Sequence, residues 1–447
     1  MASIEQSTDT ILTPKQQIAF DYMAKGYNVF ITGPGGTGKS LLIHIFKMKF
    51  QNQKTIAMTS TTGISALLIG GTTLHSYLGI GLGSGTVEEL SERILKNPKA
   101  KQKWKRLDTL IIDEISMLPP DLFDKLDRIG QRIRYGASSL LMPNSARKPF
   151  GGIQLILSGD FLQLPVVSNS DTFCFEASSW ASTVEKVVYL TEIVRQKDMN
   201  FQKALSEVRL GDIGKETRKL LKSRIGVELK NDMGIKPTKI FTTNMAVDKM
   251  NEEEIDNLVR IDPDLVFTEY EMSITFYDPF VKNRNEVMQR YRKSCIAPEK
   301  LQLCVGAQVM LLHNLDLENG LANGSRGVVV EFCEELPVVR FINGEERIID
   351  FYSWEVEEGN IKQVRITQIP LKLAWAITAH KAQGSTLDYA EVDLSNVFTY
   401  GQAYVALSRV KTKDGLSLTN IDFDCIRAHP KARQYYQQID AQVNQQK

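Results

Sequence analysis

The octapeptide Gly33-Pro34-Gly35-Gly36-Thr37-Gly38-Lys39-Ser40 constrains this chain more than any other stretch. Its spacing, Gly-x-x-x-x-Gly-Lys-Ser/Thr, belongs to a loop between a strand and the N-terminus of a helix. There the glycines turn backbone N–H groups inward around phosphate, and the helix end adds positive potential. Both flanks comply: Val29-Phe30-Ile31 reads as a strand and residues 41–50 as a helix. Gly33, Gly35, Gly36, Thr37 and Gly38 are therefore candidate nucleotide-binding positions. Lys39 suits the β/γ-phosphates and Ser40 suits Mg²⁺, so ATP and Mg²⁺ are the expected cofactors.

Further β-rich runs at residues 28–32, 55–59, 109–113, 153–158 and 187–190 alternate with helical stretches, which predicts a covered parallel α/β sheet. Leu110-Ile111-Ile112-Asp113-Glu114 is a strand ending in two carboxylates. Asp113 is a candidate Mg²⁺ ligand and Glu114 a candidate base for the attacking water. Gln163, just beyond the run at residues 153–158, is a candidate γ-phosphate sensor. A second α/β set opens at residues 239–243 and resumes at 365–374 and 390–394. Between them, from about 301 to 364, short strands and the turn pairs Asn319-Gly320 and Asn343-Gly344 predict a small all-β insertion.

At 447 residues the chain should hold more than one domain. A formal net charge of +1 does not mark it as a nucleic-acid binder, so a phosphate-tracking role would need its cations gathered in one groove. Five cysteines without metal-like spacing suggest reduced thiols inside a cell. A polar N-terminus without a signal pattern, and the lack of a long apolar run, predict no membrane partner.

The order of motifs resembles the superfamily-one helicases that move 5′ to 3′, and within them the Pif-one family, over about residues 12–418. Leu12-Thr13-Pro14-Lys15-Gln16 is similar to that family's adenine-reading motif, and Thr61-Thr62-Gly63-Ile64-Ser65-Ala66 to its first DNA-contacting motif. Lys148-Pro149-Phe150-Gly151-Gly152 resembles the end of its signature segment. Leu190-Thr191-Glu192-Ile193-Val194-Arg195-Gln196, the stretch from Ala376 through His380-Lys381-Ala382-Gln383-Gly384-Ser385 to Asp388, and Tyr404-Val405-Ala406-Leu407-Ser408-Arg409 resemble its fourth, fifth and sixth motifs. Asn323-Gly324-Ser325-Arg326-Gly327 resembles part of an inserted SH3-like barrel.

The resemblance implies an α/β fold of two RecA-like P-loop domains with a small SH3-like β-barrel inserted in the second. Residues 1–195 would form the first domain, with a small insertion around 80–106. Residues 196–300 and 365–447 would form the second, and 301–364 the barrel. It implies an ATP-dependent 5′→3′ DNA helicase, a monomer inside the nucleus or another DNA-containing compartment, acting on single-stranded DNA and tailed or forked duplex. Lys39, Glu114, Gln163, Arg195 and Arg409 would be catalytic, with both arginines as fingers. Gln16 and Gly384 would join the nucleotide site, and Thr62, His75, Asn244, His380, Lys381 and Ser385 would lie along DNA. Two other readings stay open: a remodeller that hydrolyses ATP without separating strands well, and a non-catalytic scaffold. The cationic stretch 96–106 could meet DNA or be a solvated helix face, and Tyr77 and Phe161 could stack on bases or pack in the core.

Overall fold

The computed structural model describes residues 12–81, 83–136, 143, 147–165, 171–229, 235–241, 243–281, 283–316, 319–321, 323–358, 361–379, 382, 385–395 and 397–445. In the first lobe, β1 (Val29–Thr32), β2 (Ile56–Ser60), β3 (Thr72–Thr73), β4 (Thr109–Asp113), β5 (Gln154–Gly159) and β6 (Lys186–Tyr189) form one sheet. Its order is β3-β2-β4-β5-β1-β6, and every pairing is parallel. Helices α1 (Pro14–Ala24), α2 (Lys39–Phe50), α3 (Gly63–Leu68), α4 (Leu74–Leu78), α5 (Val87–Lys96), α6 (Pro98–Arg106), α7 (Pro120–Tyr135) and α8 (Trp180–Thr183) connect the strands.

Strand side chains alternate between two cores, as the period of two requires. Val29, Ile31, Ile111 and Ile156 pack against α1 and α2, through Phe20, Met23, Leu42 and Phe46. Phe30, Leu110, Ile112, Leu155 and Leu157 face the other way, toward Trp104, Phe123, Leu126, Phe161 and Trp180. Tyr77 and Phe161, only 2% and 1% exposed, belong to this second core, so neither is presented for stacking on bases.

The second lobe follows through α9 (Met199–Leu210), α10 (Lys215–Lys222), β7 (Thr238–Phe241) and α11 (Asn244–Ile261). Then come β8 (Thr268–Glu271), β9 (Ser273–Phe276), α12 (Arg284–Ser294), β10 (Lys300–Leu303), β11 (Gln308–Leu311), β12 (Arg326–Cys333), β13 (Leu336–Phe341), β14 (Glu346–Ile348), β15 (Tyr352–Glu358), β16 (Ile361–Gln368) and β17 (Leu371–Leu373). The chain ends with β18 (Ala376–Thr378), β19 (Ala390–Leu394), α13 (Gln402–Leu407), β20 (Leu416–Ile421) and α14 (Pro430–Gln445). A second parallel sheet runs β18-β7-β19-β20.

The all-β insertion is larger than residues 301–364. Residues 365–374, expected to resume the parallel sheet, instead pair antiparallel: β16 with β15 and β9, and β17 with β11. Strands β8 and β9 also join it, although they precede residue 301. The apolar alternation of 365–374 is equally good for a one-sided antiparallel strand, which is why sequence alone misplaces it. The main antiparallel sheet is ordered β14-β13-β12-β11-β17. Among the described residues its edge strands β14 and β17 do not pair, so hydrogen bonds do not close it into the expected barrel. Helix α14 then returns to the first lobe, where Ala432, Tyr436 and Ile439 enter the core.

Candidate nucleotide site and nucleic-acid interface

The phosphate loop sits between β1 and α2, with Gly33, Gly36 and Gly38 at φ of 143°, 81° and 81°. These left-handed values favour residues without a Cβ. Space forbids one as well: at Gly33 a Cβ would lie 2.2 Å from the Leu190 carbonyl oxygen, and at Gly36 2.7 Å from the Arg195 Cβ. The stretch after β6 is thus laid directly on the loop, and Val194 N–H donates to the Gly36 carbonyl at 2.9 Å. Lys39 Nζ donates to the Gly33 and Pro34 carbonyls, 2.8 and 2.9 Å away, so it folds over the cradle. Burial lowers its pKa, partly offset by the charges of Asp160, Glu114 and Asp113.

Gln16 reaches the loop from beneath. Its amide Nε2 donates to the Thr37 carbonyl at 2.9 Å while its Oε1 accepts from Thr13 N–H, closing a capping box on α1. Thr37 Oγ1 in turn donates to Pro34 O. Both ends of Gln16 therefore brace the loop.

At the end of β4, burial raises the pKa of Asp113, while the Ser158 and Ser40 hydroxyls, the Glu114 backbone and Lys39 favour its charged form. Glu114 adopts φ 54°, ψ 44°, a left-handed conformation costly for a side chain with a Cβ. Its carbonyl accepts from Thr61 Oγ1 at 3.0 Å, and its charge acts on both Lys39 and Arg409. Ser40, Asp113, Lys39 and Glu114 are thus gathered at one sheet edge.

The second lobe closes this edge. Tyr404 of α13 accepts a hydrogen bond from Gly35 N–H at 2.8 Å, and burial pushes its hydroxyl up to about 12. A Cβ on Gly35 would lie 3.4 Å from Arg409 Nη2. Arg409, 2% exposed, donates through Nε to the Val405 carbonyl and through Nη2 to the Ser408 hydroxyl. Arg195 Nη1 and Gln196 Nε2 both donate to the Ser408 carbonyl at 3.1 Å. Burial and the neighbouring Arg195 charge bring Arg409 down to about 9, and burial also lowers Arg195.

Gln163, 6% exposed, hydrogen-bonds Asp160 Oδ2 at 3.3 Å rather than facing solvent. Asp160 is fully buried in a network the sequence reading missed. Arg209 of α9 grips it by Nε and Nη2 at 2.9 and 2.7 Å, and the Tyr436 hydroxyl donates to Oδ1 at 3.0 Å. Burial opposes the charge of Asp160, but the Arg209 guanidinium holds its carboxyl below the usual range. Arg209 and Tyr436 lie in no motif, and Tyr404 and Gln196, although each stands in one, have partners far away in the chain that no spacing assigns.

The residues expected along DNA are less uniform. Thr62 caps α3 through Ser65 and lines a cavity of about 940 Å³ with Gly63, Asn251 and Phe267. His75 lies on α4, where burial lowers its pKa. Ser385 is 5% exposed and turns its hydroxyl to the Ala382 carbonyl at 2.6 Å, so it is not presented outward. Asn244 begins α11. His380, Lys381 and Gly384 lie outside the described residues. Among the described residues no helix is long and apolar enough to cross a membrane.

A phosphate loop at the carboxyl edge of one parallel sheet, capped by Tyr404 and Arg409 from a second α/β lobe, defines a two-lobed P-loop nucleotide-binding protein. Comparison with known proteins narrows this. The family descriptions "PIF1-like helicase" and "DNA helicase Pif1, 2B domain" match residues 11–219 and 286–332. The ATP-dependent DNA helicase PIF1 of Xenopus laevis is 38% identical over 96% of this chain, which spans 64% of that protein's length. Candida albicans Pif1 helicase superposes with a TM-score of 0.74 at 34% identity, covering 96% of this chain and 99% of that one. Bacteroides sp. Pif1 gives 0.77 at 28% identity with ADP-AlF4 bound, covering 98% of this chain and 99% of that one. Unliganded it gives 0.75, and bound to ssDNA 0.62, both at 29% identity, covering 96–98% of this chain and 97–99% of those. The chain belongs to the PIF1-like helicase family, and its two parallel sheets are RecA-like cores.

Proposed function

We propose that this chain hydrolyses ATP to move 5′→3′ along single-stranded DNA and to unwind tailed or forked duplex, as a monomer. Its setting would be replication, repair or recombination in a DNA-containing compartment. The observation that carries the reading is the seam: Lys39 and the Asp113–Glu114 pair lie on one lobe, and Tyr404 and Arg409 arrive from the other at Gly35. Bacteroides Pif1, solved with ADP-AlF4 and with ssDNA, supports the choice of ligands.

The loop N–H groups and Lys39 hold the β- and γ-phosphates, and Gln16 holds the loop. Ser40 and Asp113 fit a Mg²⁺ ion, which takes few protein oxygens and completes its shell with phosphate and water. A Mg²⁺ ion held by Ser40 and Asp113 would supply positive charge to offset that developing on the phosphates. Glu114 accepts the proton of the attacking water, Gln163 reads the γ-phosphate, and Arg195 and Arg409 stabilise the separating phosphoryl group. Arginines in that position accelerate hydrolysis by roughly 10³-fold or more. With γ-phosphate gone, the second lobe loses an anchor and the cleft opens. Thr62 and His75, together with Asn244, His380 and Lys381, bind the sugar–phosphate track; Ser385 supports their segment from inside. As domains we propose 1–195 joined by the returning helix α14, and the rest from 196 onward as a second domain interrupted by the antiparallel insertion.

The test is unwinding of duplexes carrying opposite tails. A 5′ tail should be required and a 3′ tail should fail. Equal unwinding from both tails overturns the direction, and ATPase without strand separation favours a remodeller.

A further inference from the structure

Away from the nucleotide edge, α5, α6 and α7 enclose a groove of about 620 Å³. Lys101, Lys105, Arg128, Arg132 and Arg147 line it, against the single carboxylate of Glu88, which Arg132 meets at 3.5 Å. Lys101, Lys105 and Arg128 have no carboxylate within salt-bridge distance among the described residues, and Lys105 and Arg128 are exposed. In a chain of net charge +1, this is a local separation of charge rather than an overall excess.

Its position is set by Arg134, which donates to the carbonyls of Trp104, Lys105 and Leu107 just before β4 begins. The C-terminal half of α7 therefore sits near the amino edge of the first sheet, opposite the edge that carries the phosphate loop. The groove cannot serve the nucleotide. Its lining also contains no aromatic ring. Proteins that hold single strands pair cations with aromatic stacking platforms, whereas cations alone read phosphates.

Resting on the DNA reading above, we infer that this groove binds the phosphate backbone of the duplex arm, as a second contact separate from the single-strand track. The test uses the full chain and the variant K105A/R128A, whose exposed side chains can be removed without disturbing the core. Binding of a 5′-tailed duplex and of a short oligothymidine is titrated across a salt series, with oligothymidine-stimulated ATPase measured in parallel. The variant should bind the tailed duplex about tenfold more weakly at low salt, with a salt slope reduced by about 2. Oligothymidine affinity and ATPase should match the parent, and K105E/R128E should deepen the duplex defect alone. Unchanged duplex binding, or an equal loss on oligothymidine, overturns the inference. A parent chain that neither binds oligothymidine nor responds to it in ATPase would instead overturn the DNA reading.

Discussion

Lys39 touches only the phosphate loop, through the Gly33 and Pro34 carbonyls. Lys39→Ala should therefore abolish ATP turnover while DNA affinity falls less than about threefold; a parallel loss of DNA binding in an anisotropy titration would remove Lys39 from the nucleotide site alone. Glu114→Gln should still bind ATP yet hydrolyse it at least about 10²-fold more slowly, the usual worth of a positioned base; normal turnover would exclude Glu114 from that role. Arg409 makes a different prediction, because it is a buried cation with a second, partly buried cation, Arg195, beside it. With its folded pKa near 9 against an ordinary value of 12.5, its charge destabilises the nucleotide-free fold below that pH. That penalty fades as pH rises through about 9, since the unfolded chain then binds the extra proton. Arg409→Met should thus melt higher than the parent without nucleotide, by a margin that shrinks between pH 8 and pH 10, yet lose most ATPase activity. A lower melting temperature at pH 8 would contradict this. Lys39, Asp113, Glu114 and Arg409 were legible because each sits in a contiguous motif with fixed spacing. Tyr404 stands in the same motif as Arg409, but nothing in the sequence assigns its hydroxyl to Gly35, 369 positions away.

Strands β1, β2, β4 and β5 could be read from sequence because each is a run buried on both faces, and the half-buried β6 by its Val187-Val188 pair. The insertion could be recognised by its turns but not bounded, because membership depends on which strand β16 pairs with, and pairing is not a local property. Helix α14 escaped for a related reason: its amphipathic pattern says that one face is buried but not against which lobe. That face carries Tyr436 to Asp160, where α9 delivers Arg209, so elements from three parts of the chain meet behind Gln163. The Arg209–Asp160 pair is nearly solvent-free, at 2% and 0% exposure. Removing one partner strands a buried charge, so Arg209→Met should cost about 3–5 kcal/mol in urea unfolding. Replacing both, as Arg209→Met with Asp160→Leu, should recover much of that stability but leave Gln163 unsupported and ATPase low. A double variant as unstable as the single one would show that the network's shape, not its charge, matters.

Between the lobes and the insertion the contacts are of another kind. Lys99 of α6 meets Asp278, just beyond β9, at 2.5 Å, with side-chain exposures of 70% and 31%. The arrangement agrees better with unliganded Bacteroides Pif1, at 0.75, than with the same protein bound to ssDNA, at 0.62, although identity is 29% in both. If the Lys99–Asp278 pair forms only in a DNA-free arrangement, breaking it should shift the population toward a DNA-bound one. Exposed pairs contribute at most about 1 kcal/mol, which limits the gain in single-strand affinity to about fivefold. Simple electrostatics makes a contrary forecast: Asp278→Ala should tighten DNA binding by removing a negative charge, and Lys99→Ala should weaken it by removing a positive one. If the pair acts as a latch, both single variants tighten binding, and the double variant gains no more than either, because the second change has nothing left to break. Fluorescence anisotropy with a labelled oligothymidine decides between these patterns, and single variants moving in opposite directions would leave the pair as two unrelated surface charges.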